Sequence, residues 1–202
     1  MARNRSKSCA YPSISYFSIL KKYNVIIHPP KAPGIKEVIW HSPINLWVKC
    51  NTDEASNNLT SSCGGIFRNS NSEFICGFDD NIGHKSAFIA EICGVMRAIE
   101  IAASHNWPNL WLETDLSLVV SAFKSHELVS WSLSNRWFNC TRIIRNMNFF
   151  VSHIYRKGNC CANELANVGL TIDSFTFGMN FHRSLEIVSM IMELVFLISN
   201  FG

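Results

Sequence analysis

The stretch LWVKCNTDEASNNLTSSCGGIF, from Leu46 to Phe67, decides how this chain folds. Its beginning favours an extended backbone, Ala55–Ser62 is rich in polar turn-forming residues, and Cys63–Phe67 starts another apolar run. The pattern predicts a β-hairpin that carries Asp53 inside its first strand. Strand interiors disfavour aspartate, and burial of an unpaired carboxylate costs several kcal/mol. We therefore expect the charge of Asp53 to serve a function.

Beyond the hairpin, the spacing of apolar residues predicts the rest of an α/β domain. A third strand over Glu73–Asp79 completes an antiparallel meander. Apolar residues then recur at intervals of three and four between Lys85 and Ser104, which indicates an amphipathic helix. The later predicted elements are the strand Leu110–Thr114, the helices Leu116–Lys124 and Trp131–Met147, the strand Phe149–Tyr155 and the helix Cys160–Val168. We expect a five-stranded mixed sheet, an antiparallel meander followed by parallel strands, with helices on both faces.

The length of 202 residues, with 48% hydrophobic side chains, indicates one domain with additional tails. We place the domain at residues 46–172, between a basic, proline-containing extension at 1–45 and a divergent apolar tail at 173–202. No acidic residue precedes Glu37. Such a start is typical of an organelle transit peptide or of a disordered basic linker, and both interpretations stay open.

Charge, cysteine content and hydropathy restrict the functional classes. A net charge of +3 is compatible with a polyanionic partner without requiring one. The eight cysteines form no CxxC pair, so we expect reduced thiols in an intracellular compartment, the nucleus or cytoplasm, with organelle import left open. No apolar run reaches the ~18 residues of a membrane span, and we expect a monomer without membrane contact.

Three acids lie where secondary structure can bring them together. Asp53 is in the first strand, Glu91 is early in the first helix, and Asp115 follows the fourth strand, a place where α/β sheets form sites. Three adjacent carboxylates repel one another unless a hard cation such as Mg²⁺ or Mn²⁺ lies among them. Such a cluster suits phosphodiester hydrolysis. The alternatives are a turn acid at Asp53, a solvated helix residue at Glu91 and a helix N-cap at Asp115.

The order of five segments resembles the type 1 ribonuclease H-like domains of the plant non-LTR retrotransposon, or reverse transcriptase-like, family. The segments are WVKCNTDEAS (Trp47–Ser56), CGGIFRNSNSEFICGF (Cys63–Phe78), AEICGVMRAIEIA (Ala90–Ala102), LWLETDLSLVV (Leu110–Val120) and SHIYRKGNCCANELANVGL (Ser152–Leu170). The resemblance implies an RNase H-like fold and two Mg²⁺ or Mn²⁺ ions per site. It also implies cleavage of the RNA strand of an RNA/DNA hybrid, which makes nucleic acid the expected partner.

The same resemblance implies four catalytic positions, of which one is altered. The first three fall on Asp53, Glu91 and Asp115, which we expect to bind the metal. The fourth falls on Asn163, where the family has Asp, and an amide supplies no charge. A second departure is Glu54, where the family commonly has Gly. We expect Asn163 to weaken the activity or to abolish it.

Candidate substrate contacts follow from the resemblance and from charge. Polar residues of the first loop are candidates for contacts to the hybrid, and basic side chains are candidates for phosphate contacts. They are Asn57, Asn58, Ser61 and Ser62 in the first group, and Arg97, Arg142, Arg145, Arg156 and Lys157 in the second. Two further hypotheses stay open: a catalytically inactive module that binds nucleic acid, and a retroelement remnant without a selected role.

Overall fold

The computed structural model describes residues 22–23 and 38–178. The chain divides into two units between Glu37 and Val38, which is N-terminal to the predicted boundary at residue 46. The predictions for the rest of the extension and for residues 179–202 lie outside the described residues. Within 38–178, no helix is both long and apolar enough to cross a membrane.

The elements alternate as expected for an α/β domain. In chain order they are β1 (Val48–Ser56), β2 (Ser61–Arg68), β3 (Phe74–Gly83), α1 (Ala87–Ser104), β4 (Asn109–Thr114), α2 (Ser117–Ala122), α3 (Ser134–Ile144), β5 (Asn148–His153), α4 (Cys160–Gly169) and β6 (Thr176–Gly178). The sheet order is β5-β4-β1-β2-β3-β6. The pairs β1–β2, β2–β3 and β3–β6 are antiparallel, and the pairs β1–β4 and β4–β5 are parallel. The mixed sheet is confirmed, and it has six described strands where the sequence predicted five.

The first hairpin is longer than its sequence pattern suggested. Ser56 still pairs with Ser61, so only four residues, 57–60, form the turn. The side chain of Asn57 closes this turn, because its Oδ1 accepts hydrogen bonds from the backbone N–H groups of Leu59 and Thr60, each at 2.8 Å. Asparagine favours such turns because its side chain can replace a backbone acceptor.

Helix α1 starts where the sequence provides a cap. The Ser86 side chain accepts a hydrogen bond from the Ile89 N–H and so satisfies one of the free donors at the helix start. The predicted helix Trp131–Met147 is shorter, because Trp131–Leu133 forms a 3₁₀ turn before α3 begins.

The two faces of the sheet are covered by different helices. Successive strand residues point to opposite faces, so Cys63 and Gly64 of β2 face different layers. Gly94 of α1 packs against Cys63 on the face that holds the larger apolar core. On the other face α4 crosses β2 so closely that a Cβ on Gly64 would lie 2.4 Å from the backbone nitrogen of Ala166. Glycine at residue 64 therefore sets the distance between α4 and the sheet.

Candidate active site

The structure brings the three predicted acids together at one end of the sheet. Asp53 lies on β1, Glu91 on α1, and Asp115 directly after β4. One carboxylate oxygen from each acid lies within 4.8 Å of the other two. Strands β1 and β4 are parallel neighbours, so their carboxyl ends meet, and the buried face of α1 adds the third acid. The convergence that the sequence predicted is thus present.

The structure contradicts all three alternative roles of these acids. Glu91 is fully buried and so is not a solvated helix residue. Asp115 does not cap α2, since Leu116 occupies the N-cap position without a side-chain cap hydrogen bond. The Oδ1 atom of Asp53 accepts from the neighbouring Glu54 N–H at 2.9 Å and bonds to no residue of the turn 57–60.

Hydroxyl groups orient Glu91 from both adjoining strands. Thr52 of β1 and Thr114 at the end of β4 each donate a hydrogen bond to Glu91 Oε1, the former at 3.3 Å. The other oxygen, Oε2, is buried and has no hydrogen-bond partner among the described residues, and the same is true of Asp53 Oδ2. A buried polar atom without a partner costs about 1–3 kcal/mol, so these two oxygens are candidate ligand atoms for a cation.

The electrostatics of the cluster agree with this geometry. Burial raises the pKa of Asp53 to about 7, with the charge of Asp115 as the next largest cause. Burial also raises the pKa of Glu91 to about 8, against the opposing effect of the Thr114 hydrogen bond. The pKa of Asp115 is raised by burial as well, although the charge of Arg156 counteracts it. Without a cation, the folded chain resists ionisation of all three groups.

These residues fit a divalent metal ion. The donor set consists of carboxylate oxygens, which hard cations such as Mg²⁺ and Mn²⁺ prefer, and two of these oxygens are free to bind. A cation at this point would compensate the three charges and supply the missing partners of Asp53 Oδ2 and Glu91 Oε2.

The fourth predicted position, Asn163, lies in α4 and contacts a cation of the protein itself. The Arg156 guanidinium donates to Asn163 Oδ1 at 3.3 Å. The charge of Arg156 also lowers the pKa of Asp53 and of Asp115, so this side chain lies beside the acid cluster. The His153 imidazole Nε2 contacts the Asp115 carbonyl oxygen at 2.9 Å.

The predicted substrate-binding residues have different surroundings. Asn58 and Lys157 are exposed, whereas the Asn57 amide oxygen closes the first turn. Arg97 forms ion pairs with Asp80 at 2.7 Å and with Glu100 at 3.4 Å.

A set of buried polar residues beside the acids was missed by the sequence analysis. It comprises Lys49, Asn51, Glu113 and Asn159, which are linked by hydrogen bonds. One signal was available, because Asn51 and Glu113 each lie two residues before a predicted site acid. Their partners come from distant parts of the chain, which apolar periodicity does not report.

Comparisons with known proteins agree with the fold. The model of a family described as reverse transcriptase-like matches residues 50–169. The chain is 33% identical over 154 residues to a protein of Arabidopsis thaliana whose name provisionally calls it a ribonuclease H protein. The match covers 74% of this chain but only 24% of that protein, so the chain spans about a quarter of its relative.

Solved structures show the same fold at low sequence identity. RNase H1 of Halobacterium salinarum superposes with a TM-score of 0.55 at 21% identity, over 62% of this chain and 98% of the archaeal one. LC11-RNase H1, whose structure was solved in complex with RNA/DNA hybrid, gives a TM-score of 0.55 at 17% identity, over 61% and 96% of the two chains.

Proposed function

Because the chain belongs to the reverse transcriptase-like family, we propose that its domain binds an RNA/DNA hybrid and hydrolyses the RNA strand with the help of divalent metal ions. The observation that carries this proposal is the cluster of Asp53, Glu91 and Asp115, with two buried oxygens that lack a partner.

Asp53, Glu91 and Asp115 would hold Mg²⁺ or Mn²⁺, with two ions per site. When bound, paired divalent ions stabilise the attacking and the leaving oxygen of a phosphodiester. The contribution of the protein is to keep the carboxylates in place. Thr52 and Thr114 fix the Glu91 carboxylate from two strands, and the Glu54 N–H fixes Asp53.

Basic and polar side chains near this end of the sheet would hold the nucleic acid. Arg156 lies beside the acids, and Lys157 next to it is exposed, so both can reach phosphates without reading the base sequence. Asn57 and Asn58 remain candidates for contacts from the first turn. A related fold in complex with an RNA/DNA hybrid supports this substrate class, since LC11-RNase H1 was crystallised with one. Arg97 would contribute only if it left Asp80 and Glu100.

Asn163 lowers the expected rate. A charge about 4 Å from the reacting group is worth up to ~4 kcal/mol at an effective dielectric of 20, which corresponds to roughly a thousandfold in rate. Glu164 cannot replace it without a rotation of the helix, since neighbouring helix residues do not share a face.

The second candidate function is nucleic-acid binding without cleavage. The contact between Arg156 and Asn163 favours it, because the fourth position holds a neutral amide that bonds to an internal cation. An inactive module of this kind would keep its affinity for the hybrid in EDTA and would not cleave in Mn²⁺.

Cleavage of a labelled RNA/DNA hybrid by the full chain and by Asn163→Asp, in Mg²⁺ and in Mn²⁺, separates the two candidates. We expect slow cleavage by the parent and roughly thousandfold faster cleavage by the variant. Cleavage by the variant alone would establish the binding module. If neither protein cleaves the hybrid, the hydrolytic function is wrong.

A further inference from the structure

A one-directional chain of hydrogen bonds runs from the segment before β1 to the backbone next to Asp53. Trp40 Nε1 donates to Asn51 Oδ1 at 2.8 Å, and Asn51 Nδ2 donates to Asn159 Oδ1 at 3.2 Å. Asn159 Nδ2 then donates to the Thr52 carbonyl oxygen at 2.7 Å. Asn51, Thr52 and Asn159 are all buried, so water does not compete for these bonds.

The chemistry of the two ends fixes the orientation of both amides between them. An indole N–H can only donate and a backbone carbonyl can only accept. Asn51 must therefore turn its oxygen towards Trp40, which directs its NH₂ group to Asn159. Asn159 must in turn direct its own NH₂ group to Thr52.

The last acceptor in this series of hydrogen bonds, the Thr52 carbonyl, lies next to the first acid of the site. Thr52 is the last residue of β1 that pairs with β4, and the next residue is Asp53. Asn159 is the residue before α4, and its carbonyl accepts the Asn163 N–H at 3.1 Å. One side chain thus ties the strand that bears the first acid to the helix that bears the altered fourth position.

A buried ion pair, Lys49–Glu113, also contacts Asn51 in this series of hydrogen bonds. Glu113 Oε2 accepts from Asn51 Nδ2 at 2.9 Å and from Lys49 Nζ at 2.7 Å. Lys49 also donates to the His41 carbonyl oxygen at 2.8 Å and lies 4.7 Å from the ring centre of Trp40. The segment Val38–Pro43 is therefore held to the sheet independently of the Trp40 indole N–H.

Packing holds the same segment to the start of α4. A Cβ added to Gly158 would lie 2.8 Å from Val38 Cγ1 and 2.7 Å from Ile154 Cδ1. A side chain at residue 158 would require the Val38 and Ile154 side chains to move. The segment thus contacts both elements that Asn159 connects.

We propose that Asn159 is a positioning residue of the acid site and that Trp40, acting through Asn51, holds its amide in the orientation that fixes the Thr52–Asp53 backbone. The expected effect on cation affinity rests on the proposed metal site, but the hydrogen bonds that link Trp40 to Thr52 do not require metal. Residues N-terminal to the hairpin then influence how well the acid cluster binds a cation.

The test compares two indole-to-phenyl substitutions in the full chain. Trp40→Phe keeps an aromatic face for Lys49 and removes the N–H that orients Asn51. Trp111→Phe is the matched control, because it also removes an indole N–H, which donates to Ser152 at 2.7 Å, and keeps a ring near Lys49, but no hydrogen bond joins Trp111 directly to Asn51, Asn159 or Thr52. Asn159→Leu removes the last hydrogen bond of the path directly.

The first readout is amide hydrogen exchange of residues 52–56 and 159–163 without metal. We expect Trp40→Phe and Asn159→Leu to speed exchange in both segments about fivefold, the effect of one lost hydrogen bond, while Trp111→Phe leaves both unchanged. Unchanged exchange in Trp40→Phe, or equal acceleration in Trp111→Phe, would overturn the proposal even if Asn159→Leu fails to fold.

The second readout is the dissociation constant for Mn²⁺ alone, from calorimetric titration. We expect Trp40→Phe to weaken binding about fivefold and Trp111→Phe to leave it unchanged. Equal affinities in both variants and the parent would refute the influence of Trp40 on the acids. A parent chain that binds no Mn²⁺ would instead refute the proposed metal site, and the exchange data would still decide the link between Trp40 and Thr52.

Discussion

Two buried acidic sites lie side by side on β1 and β4, and they compensate their negative charge in different ways. At the first, Glu113 forms an ion pair with Lys49 at 2.7 Å and accepts from Asn51 and Ser152. At the second, Asp115 follows the end of β4 and meets two other acids, and two of the carboxylate oxygens have no hydrogen-bond partner among the described residues. The charge of Glu113 is balanced within the protein by Lys49, whereas the three acids of the second site lie next to one another.

The difference shows why burial of an acid alone does not identify a functional site. Burial favours the neutral form of Lys49 and lowers its pKa, but the hydrogen bond and charge of Glu113 oppose that shift. For Asp53 and Glu91, burial and neighbouring charge act in the same direction and raise both pKa values. The convergence of three carboxylates within 4.8 Å is the feature that distinguishes the acid cluster.

The largest effect is expected from Asp115→Asn, which makes the second site neutral at one position. Loss of this charge should reduce hybrid cleavage by up to about a thousandfold, because up to ~4 kcal/mol of stabilisation is lost. The rate should be measured in the parent and in the Asn163→Asp background. Asp79→Asn is the control, since it makes the same change outside the cluster. Equal rates for Asp115→Asn and its parent would show that the acids are not the site.

Lys49→Met should make the first site resemble the second, because it leaves Glu113 buried without its cation. Removing one partner of a buried pair costs about 3–5 kcal/mol, so we expect a loss of that size in the free energy of unfolding in urea. Lys49→Met with Glu113→Gln should recover much of it. Arg136→Met tests the same change at the half-exposed Glu100 pair, also 2.7 Å apart, where about 1 kcal/mol or less is expected. Similar losses at both pairs would contradict the comparison.

The third expected effect is a fall in the free energy of unfolding as the pH rises, which bound metal should reduce. Asp53 and Glu91 have ordinary pKa values of 3.8 and 4.5 but values of about 7 and about 8 when folded. Between about pH 4 and pH 8 the folded chain therefore binds more protons than the unfolded chain, so stability falls as the pH rises. Between pH 5 and pH 8 we expect a fall on the order of 6 kcal/mol in EDTA and a smaller one in excess Mn²⁺. Urea unfolding at pH 5 and pH 8 measures both, and identical slopes would argue against cation binding by these acids.

The sequence predicted the acid cluster in two steps. Asp53 lies in a recognisable strand, Asp115 follows another, and the period of α1 places Glu91 on its buried face, so the three acids could meet. The family resemblance then made this prediction specific. The mixed sheet with its antiparallel meander also followed from the sequence pattern, whereas the order of the strands was not predicted. Strand β6 could not be predicted, because Thr176–Gly178 is three residues long and pairs only with the edge of β3.

The first site was not predictable for a different reason. Asn51 and Asn159 are 108 residues apart in sequence, and their contact is a polar hydrogen bond with no periodic signature. Lys49 lies in a strand pattern where a charged residue suggests solvent, yet its side chain is buried between Trp40 and Trp111. Apolar periodicity locates elements, whereas polar pairs between distant elements depend on the tertiary structure.

The smallest expected effect concerns Asp79, a third buried acid that belongs to neither site. Both of its carboxylate oxygens lack a hydrogen-bond partner among the described residues, and burial raises its pKa to about 6, against the opposing effect of the Thr176 side chain. Its ordinary value is 3.8, so it reduces stability as the pH rises from about 4 to 6. We expect Asp79→Asn to raise the free energy of unfolding at pH 7 by on the order of 1–2 kcal/mol.

This effect should be the same in EDTA and in Mn²⁺, because Asp79 lies on β3, outside the acid cluster. The adjacent Asp80 is the matched control. It forms an ion pair with Arg97 at 2.7 Å, so Asp80→Asn should lower stability by about 1 kcal/mol or less instead of raising it. If Mn²⁺ abolished the gain in Asp79→Asn, Asp79 would take part in cation binding, and the proposal that the cation binds at the acid cluster alone would be wrong.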